Sequence, residues 1–244
     1  MKKEGRFPKS AKDRINMRIG LICANDDELA PFLEEMEVTG TQEHVMLKFY
    51  EGKLCGKDVV ALFSGVCKVN AAIATQVLID HFEVDGVINA GVAGGMDPKV
   101  KILDTVVSTE VGYHDVADGI LTEFHPWMKT KFFQADPTML ASAQKALASY
   151  PSKGSIHFGR MVTGEAFIDQ EGRTQINEKY HPLSVDMETG AMAHACYVNK
   201  IPFLAVRSIT DADEETGDDA FNSNLDEAVR IAKDVTLQVL RELR

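Results

Sequence analysis

Short apolar runs alternate with stretches of helical period along nearly the whole chain, and that alternation limits the folds open to it. The runs at 18–24, 84–90, 104–113, 155–163, 184–187 and 202–209 have the length and composition of buried strands. Between them, Leu29, Phe32, Leu33 and Met36 mark one helical face, and Val69, Ala72, Ile73 and Val77 mark another. Further helices are expected at 137–149, at 172–179 and at about 225–243, the last opened by a capping box of Ser223 and Asp226. Two alternating segments, 45–50 and 53–63, read as a hairpin turning at Glu51-Gly52. No internal linker breaks the pattern. It predicts an α/β fold, a single domain over 17–244 with a central mostly parallel or mixed twisted sheet flanked by helices.

In such a sheet, ligands bind beyond the carboxyl ends of the parallel strands. Acidic residues stand at those ends here. Glu188 follows the run 184–187, Asp211 follows 202–209, and Asn25-Asp26-Asp27-Glu28 follows 18–24. Acids also suit a helix start, which accounts for Asp26 and Asp27 without any ligand. Glu28 lies one step further in and can face solvent or the strand-end crevice. Glu188 can likewise be a first-turn residue, and Asp211 can cap the next segment. The strand exit Gly91-Val92-Ala93-Gly94-Gly95 permits close backbone approach to a ligand, with Ala93 and Gly94 as candidate contacts. It is neither a dinucleotide fingerprint nor a phosphate loop. His114, Asp115 and Asp118 bring too few ligands together for a metal site.

The net charge of −11 opposes binding to a polyanion, so no nucleic-acid partner is expected. No run approaches the ~18 apolar residues of a membrane span. Cys23, Cys55, Cys67 and Cys196 fit no zinc or redox spacing, which implies reduced thiols and a cytoplasmic protein. Residues 1–16 are basic and lack the apolar core of a signal peptide. They read as a leader or disordered extension, with Met17 as the natural start. The aromatic stretch 116–136, which contains Trp127, reads as an irregular lid or interface segment.

Six blocks in one order carry a resemblance. They are NDDE at 25–28, SGVCKVNAA at 64–72, INAGVAGG at 88–95, TGEAFI at 163–168, VDMETGAMAHAC at 185–196 and VRSITDAD at 206–213. Together they resemble the 5′-methylthioadenosine/S-adenosylhomocysteine nucleosidases of the nucleoside phosphorylase superfamily, from about Met17 to Leu243. The resemblance implies a nucleoside phosphorylase-like fold and hydrolysis of the N-glycosidic bond of 5′-modified adenosines: 5′-methylthioadenosine, S-adenosylhomocysteine or 5′-deoxyadenosine. It implies that Asp211 protonates adenine at N7, that Glu28 deprotonates the attacking water and that Arg207 helps hold that water. Glu188 accepts hydrogen bonds from the ribose hydroxyls, and Met187 packs on the sugar. Phe167 stacks on adenine, the Ile168 backbone reads its edge, and Val66 and Phe221 line the 5′ pocket. No cofactor or metal is implied, and a homodimer is.

The residue types suit that chemistry. Cleavage at C1′ passes through a cationic sugar, so carboxylates stabilise charge that develops in the transition state. Adenine leaves poorly as an anion and needs an acid. The chain departs from the family at Asn25, where methionine is frequent, at Cys67, where glycine is usual, and at Val92, where a small hydroxyl residue is usual. Residues 116–129 lack the segment that helps form the 5′ pocket. Two alternatives stand beside hydrolysis. A phosphorylase would cleave the same bond with phosphate, but Asn89-Ala90-Gly91 lacks the arginine such enzymes tend to carry there. A silent nucleoside-binding protein would not need both Asp211 and Glu28.

Overall fold

The computed structural model describes residues 17–124 and 128–243. The reading of residues 1–16 as a leader, and Trp127 within the aromatic stretch, lie outside the described residues. The strands are β1 (Arg18–Cys23), β2 (Glu37–His44), β3 (Leu47–Leu54), β4 (Lys57–Phe63), β5 (Gly86–Gly95), β6 (Thr105–Tyr113), β7 (Phe132–Gln134), β8 (Ile156–Thr163), β9 (Ser184–Asp186) and β10 (Phe203–Asp211). The helices are α1 (Asp26–Glu35), α2 (Lys68–Asp80), α3 (Ile120–Glu123), α4 (Pro137–Leu147), α5 (Gln170–Tyr180), α6 (Thr189–Asn199) and α7 (Asp218–Glu242).

All ten strands form one mixed sheet. Along it the order is β10-β6-β8-β9-β5-β1-β4-β3-β2, with β7 on β6. A further pairing of β10 with β5 closes β10, β6, β8, β9 and β5 into a ring. The remaining strands extend from β5 as an open wing. Apolar layers cover both faces. Ala71, Ala74 and Leu78 of α2 pack with Met192 and Cys196 of α6 in one core. Leu29 and Phe32 of α1, Met139 and Ala143 of α4, and Val235 and Val239 of α7 pack in the other. Burying an aliphatic or aromatic side chain of this kind is worth ~1.5–3 kcal/mol. The parallel strands β1, β4, β5 and β10 run as continuous buried stretches, as strands covered on both faces must.

Three boundaries differ from the sequence expectation. The hairpin turns fall at Val45-Met46 and Cys55-Gly56, all four residues with positive φ, and Gly52 lies inside β3. A Cβ at Gly52 would meet the Glu37 carbonyl of β2 at 2.0 Å, so that glycine serves strand contact and not a turn. The glycine block 91–95 is the second half of β5 and not its exit. Helix α7 begins at Asp218, with Asp218 and Asp219 in its first turn. Ser223 is therefore interior, and its hydroxyl donates to the Asp219 carbonyl (2.8 Å) instead of capping.

Candidate active site

The C-terminal ends of two strand sets meet at one place: β1, β4 and β10 run parallel with β5, and β8 and β9, parallel with each other, meet that set antiparallel at the end of β5. There, β1 leads into Asn25 and α1, β4 into Ser64-Gly65-Val66, β8 into Gly164 to Ile168, β9 into Met187 and Glu188, and β10 ends on Asp211. These segments enclose a cavity of about 240 Å³. All eleven residues singled out from the sequence line it: Glu28, Val66, Ala93, Gly94, Phe167, Ile168, Met187, Glu188, Arg207, Asp211 and Phe221.

Glu28 is held from both sides. Asn25 caps α1, its side chain accepting from the Glu28 amide (2.9 Å). The Glu28 carboxylate then turns inward, with Oε2 accepting from the Ala24 amide (2.6 Å) and Oε1 from the Val92 amide (2.8 Å). Gly91 makes room for it, since a Cβ there would lie 2.3 Å from Oε1. Burial pushes the Glu28 pKa up; Arg207 and the backbone N–H donors oppose that shift without cancelling it.

Arg207, on β10, is 1% exposed and organises the acids. Its guanidinium donates from Nη2 to Glu188 Oε2 (3.1 Å), from Nη1 to the Val92 carbonyl (3.0 Å) and from Nε to Thr189 Oγ1 (3.1 Å). Glu28 Oε1 lies 3.6 Å and Asp186 Oδ2 3.9 Å from the same group. Three buried carboxylates around one cation cannot all be compensated. Glu188 shows the consequence, its pKa raised to about 7 by burial despite Arg207.

Glu188 precedes α6, yet its side chain does not cap that helix. It reaches across to the Cys67 amide (3.0 Å) and to Arg207. The capping is done by Asp186, whose Oδ1 accepts from the Glu188 and Thr189 amides (3.0 and 2.9 Å). That freedom is what lets Glu188 face the cavity. Asp211 caps nothing either, as α7 starts seven residues later. Its Oδ1 accepts from Thr210 Oγ1 (3.0 Å), and its Oδ2 is paired with Arg173 of α5. Burial raises the Asp211 pKa and Arg173 pulls it back down. Phe167, 42% exposed, sits edge-to-face with Phe221, with centroids 6.0 Å apart, across the cavity mouth.

Sequence reasoning missed Asp186, Thr189 and Arg173. The signal for Asp186 was present: an aspartate three residues ahead of Thr189 in front of a small-residue helix is a cap pattern. Arg173 carried no local signal, because its partner is 38 residues away in sequence.

The model for the phosphorylase superfamily matches residues 18–241. A 5′-methylthioadenosine/S-adenosylhomocysteine nucleosidase of Colwellia psychrerythraea is 34% identical over 237 residues, covering 93% of this chain and 97% of that protein. The nucleosidase of the same name from Bacillus thuringiensis is 32% identical, covering 93% and 100%. Among solved structures, the Colwellia nucleosidase in complex with adenine superposes with a TM-score of 0.85 at 33% identity, covering 93% of this chain and 96% of that one. The Neisseria meningitidis nucleosidase in complex with methylthio-immucillin-A gives 0.85 at 29% identity, with 93% and 100% covered.

Proposed function

Since the chain belongs to the phosphorylase superfamily and, within it, to the 5′-methylthioadenosine/S-adenosylhomocysteine nucleosidases, we propose that it hydrolyses the N-glycosidic bond of 5′-modified adenosines to adenine and the 5′-modified ribose. The observation that carries this reading is the arrangement of Glu28 and Asp211 on one cavity, each buried and each with its pKa raised. A base and an acid are thereby available to the two ends of one bond.

In this reaction Asp211 gives its proton to N7 as the C1′–N9 bond breaks, and the bonding pair leaves with the neutral base. Water attacks C1′ and gives its proton to Glu28. Both Glu28 oxygens are fixed by backbone amides, which sets the direction of the lone pairs left for water. Arg207 orients Glu28 and Glu188 together. Glu188 accepts from the ribose hydroxyls, and the negative charge around the sugar favours its cationic transition state. Met187 packs on the sugar, Phe167 stacks on the base, the Ile168 backbone reads its edge, Ala93 and Gly94 bring the backbone close to it, and Val66 and Phe221 bound the 5′ side. The nucleosidase unit is taken as 17–244, supported by the match over 18–241, with residues 1–16 as a leader or extension outside it.

Phosphorolysis fits less well. Among the described residues Arg207 is the one arginine or lysine lining the cavity, against Glu28, Asp186, Glu188 and Asp211, and it is already engaged by carboxylates. A phosphate dianion needs uncommitted cationic donors. A homodimer is supported by the apolar side chains that α2 and α6, packed on one another, leave exposed: Val69 (68%), Ile73 (45%) and Val198 (48%). A cytoplasmic location is supported by four free cysteines; among the described residues no helix is long and apolar enough to cross a membrane.

The test is adenine release from 5′-methylthioadenosine in phosphate-free buffer, repeated with phosphate. Release without phosphate, yielding free 5′-methylthioribose, is expected. Release only with phosphate would make the protein a phosphorylase and remove the water role from Glu28.

A further inference from the structure

Arg173 lies behind Asp211, outside the cavity lining, and is 2% exposed. Helix α5 carries it, starting two residues after Ile168, so the segment that holds the base and the side chain that holds the acid share one short stretch of chain. Its Nη1 donates to the Gly95 carbonyl of β5 and its Nη2 to Asp211 Oδ2. Nε is buried without a hydrogen-bond partner among the described residues. Gly95 and Asp211 therefore fix the guanidinium. Among the described residues the other groups against the Asp211 carboxylate are uncharged: Gly94 of β5 and the hydroxyl of Thr210 on β10. Beyond them, Val185 of β9 touches Gly94 and Asn224 of α7 donates to the Thr210 carbonyl, both uncharged. Among the described residues Arg173 is the charge that acts on this carboxylate.

We propose that Arg173 is the positioning residue of the general acid, clamping Oδ2 of Asp211 so that the transferable proton is carried on Oδ1. The proposal rests on the reading of Asp211 as that acid. With Oδ2 committed to a cation, the proton must reside on the other oxygen. Thr210 is placed to adjust: its hydroxyl lies 3.0 Å from Oδ1 and 3.4 Å from the Ala93 carbonyl. It donates to Oδ1 when Asp211 is ionised and turns to Ala93 when Oδ1 bears the proton. As the proton passes from Oδ1 to N7, the C1′–N9 pair withdraws into the base, and the carboxylate left behind is paired with Arg173. The arginine thus makes Asp211 a stronger acid, while burial keeps it protonated.

The test compares wild type with Arg173→Gln, Arg173→Met and Arg173→Lys by the pH dependence of kcat/KM for 5′-methylthioadenosine, with melting temperatures as a check on folding. Loss of the positive charge is expected to move the alkaline limb up by about one to three pH units and to lower kcat. Arg173→Lys should leave that limb near its wild-type position yet lower kcat about tenfold or more, because a point charge cannot hold Gly95 and Oδ2 together. A purely structural arginine would lower activity equally at every pH. Folded Gln or Met variants with an unmoved limb would overturn the proposal, and if neither folds, a Lys variant with wild-type kcat would do so. Should wild type release no adenine from any 5′-modified adenosine, the functional reading fails instead. The clamp is then read by carbon-13 titration of the Asp211 carboxyl in wild type and Arg173→Lys against Arg173→Gln, where equal midpoints would reject it.

Discussion

At the scale of residues, the proposed mechanism gives the carboxyl groups of Glu28 and Asp211 separate jobs, and neither substitutes for the other. General acid or base assistance is worth ~10²–10⁴-fold per group. Asp211→Asn and Glu28→Gln should each lower kcat by at least about a hundredfold, measured as adenine release under saturating substrate. Retention of more than about a tenth of wild-type kcat would remove the role from that residue. The same acids set the response to pH. Glu188 has a folded pKa of about 7 against an ordinary 4.5, so the folded protein binds that proton more tightly than the unfolded chain does. Its contribution to stability is complete below the unfolded value and is lost as pH rises through about 7. Glu28 and Asp211 are shifted in the same direction. The melting temperature should therefore fall between about pH 5 and about pH 8, with Glu188 alone contributing on the order of 3 kcal/mol. Glu188→Gln should flatten that slope in a calorimetric pH series; an unchanged slope would show that the burial cost lies elsewhere.

Among elements, the turn from β4 into α2 stores strain. Cys67 has φ 80° and ψ 163°, a region open to glycine and costly for a side chain, yet its amide must point at Glu188. Holding that amide in place costs ~1–3 kcal/mol. Cys67→Gly keeps the amide and removes the Cβ, so it should raise stability by about 1 kcal/mol in urea titration once the greater freedom of unfolded glycine is subtracted. A loss of stability would mean that the thiol's packing near Glu165 outweighs the strain. The elements also show where sequence is informative. The buried strands and the helices α1, α2 and α4 were legible because apolar spacing reports burial directly. Strand β2 was not: almost every residue of Glu37–His44 is exposed, so no apolar pattern marks it, and it exists because β3 pairs with it. The start of α7 was hidden by acids and Gly217 that read as loop, although acids in a first turn favour a helix. The site was legible through the six blocks, which name residues on the cavity wall. Arg173 acts on Asp211 through space, from behind the wall, and no spacing along the chain announces such a contact; Asp186, on the wall itself, is announced only as a cap pattern ahead of Thr189.

For the whole molecule, the sheet brings five strand ends to one cavity, and the exposed apolar side chains of α2 begin three residues past Val66 at its edge. If two copies meet there, a charge at the centre of that surface should separate them. Val69→Glu with Ile73→Glu is expected to shift the mass in light scattering from dimer to monomer at micromolar concentration. It should also raise KM for 5′-methylthioadenosine more than it lowers kcat, because the 5′ side loses its cover while the acid and base stay in place. A variant that remains dimeric would place the interface elsewhere.

Strand β5 belongs to both the closed ring and the open wing, and it acts as a calliper for the reaction. The Val92 amide grips Glu28, the proposed base, while Gly94 stands opposite Asp211, the proposed acid, in the strand register and the Gly95 carbonyl holds Arg173. Two or three residues of one extended strand, ~7–10 Å, thus fix the separation between the water side and the leaving-group side. A strand cannot stretch, so the gauge admits one ring size between its jaws. In the proposed binding mode the 5′ end of the substrate lies off this axis, beside Val66 and Phe221. Substrate range can therefore drift at the 5′ end from one relative to the next while the sugar and base stay fixed.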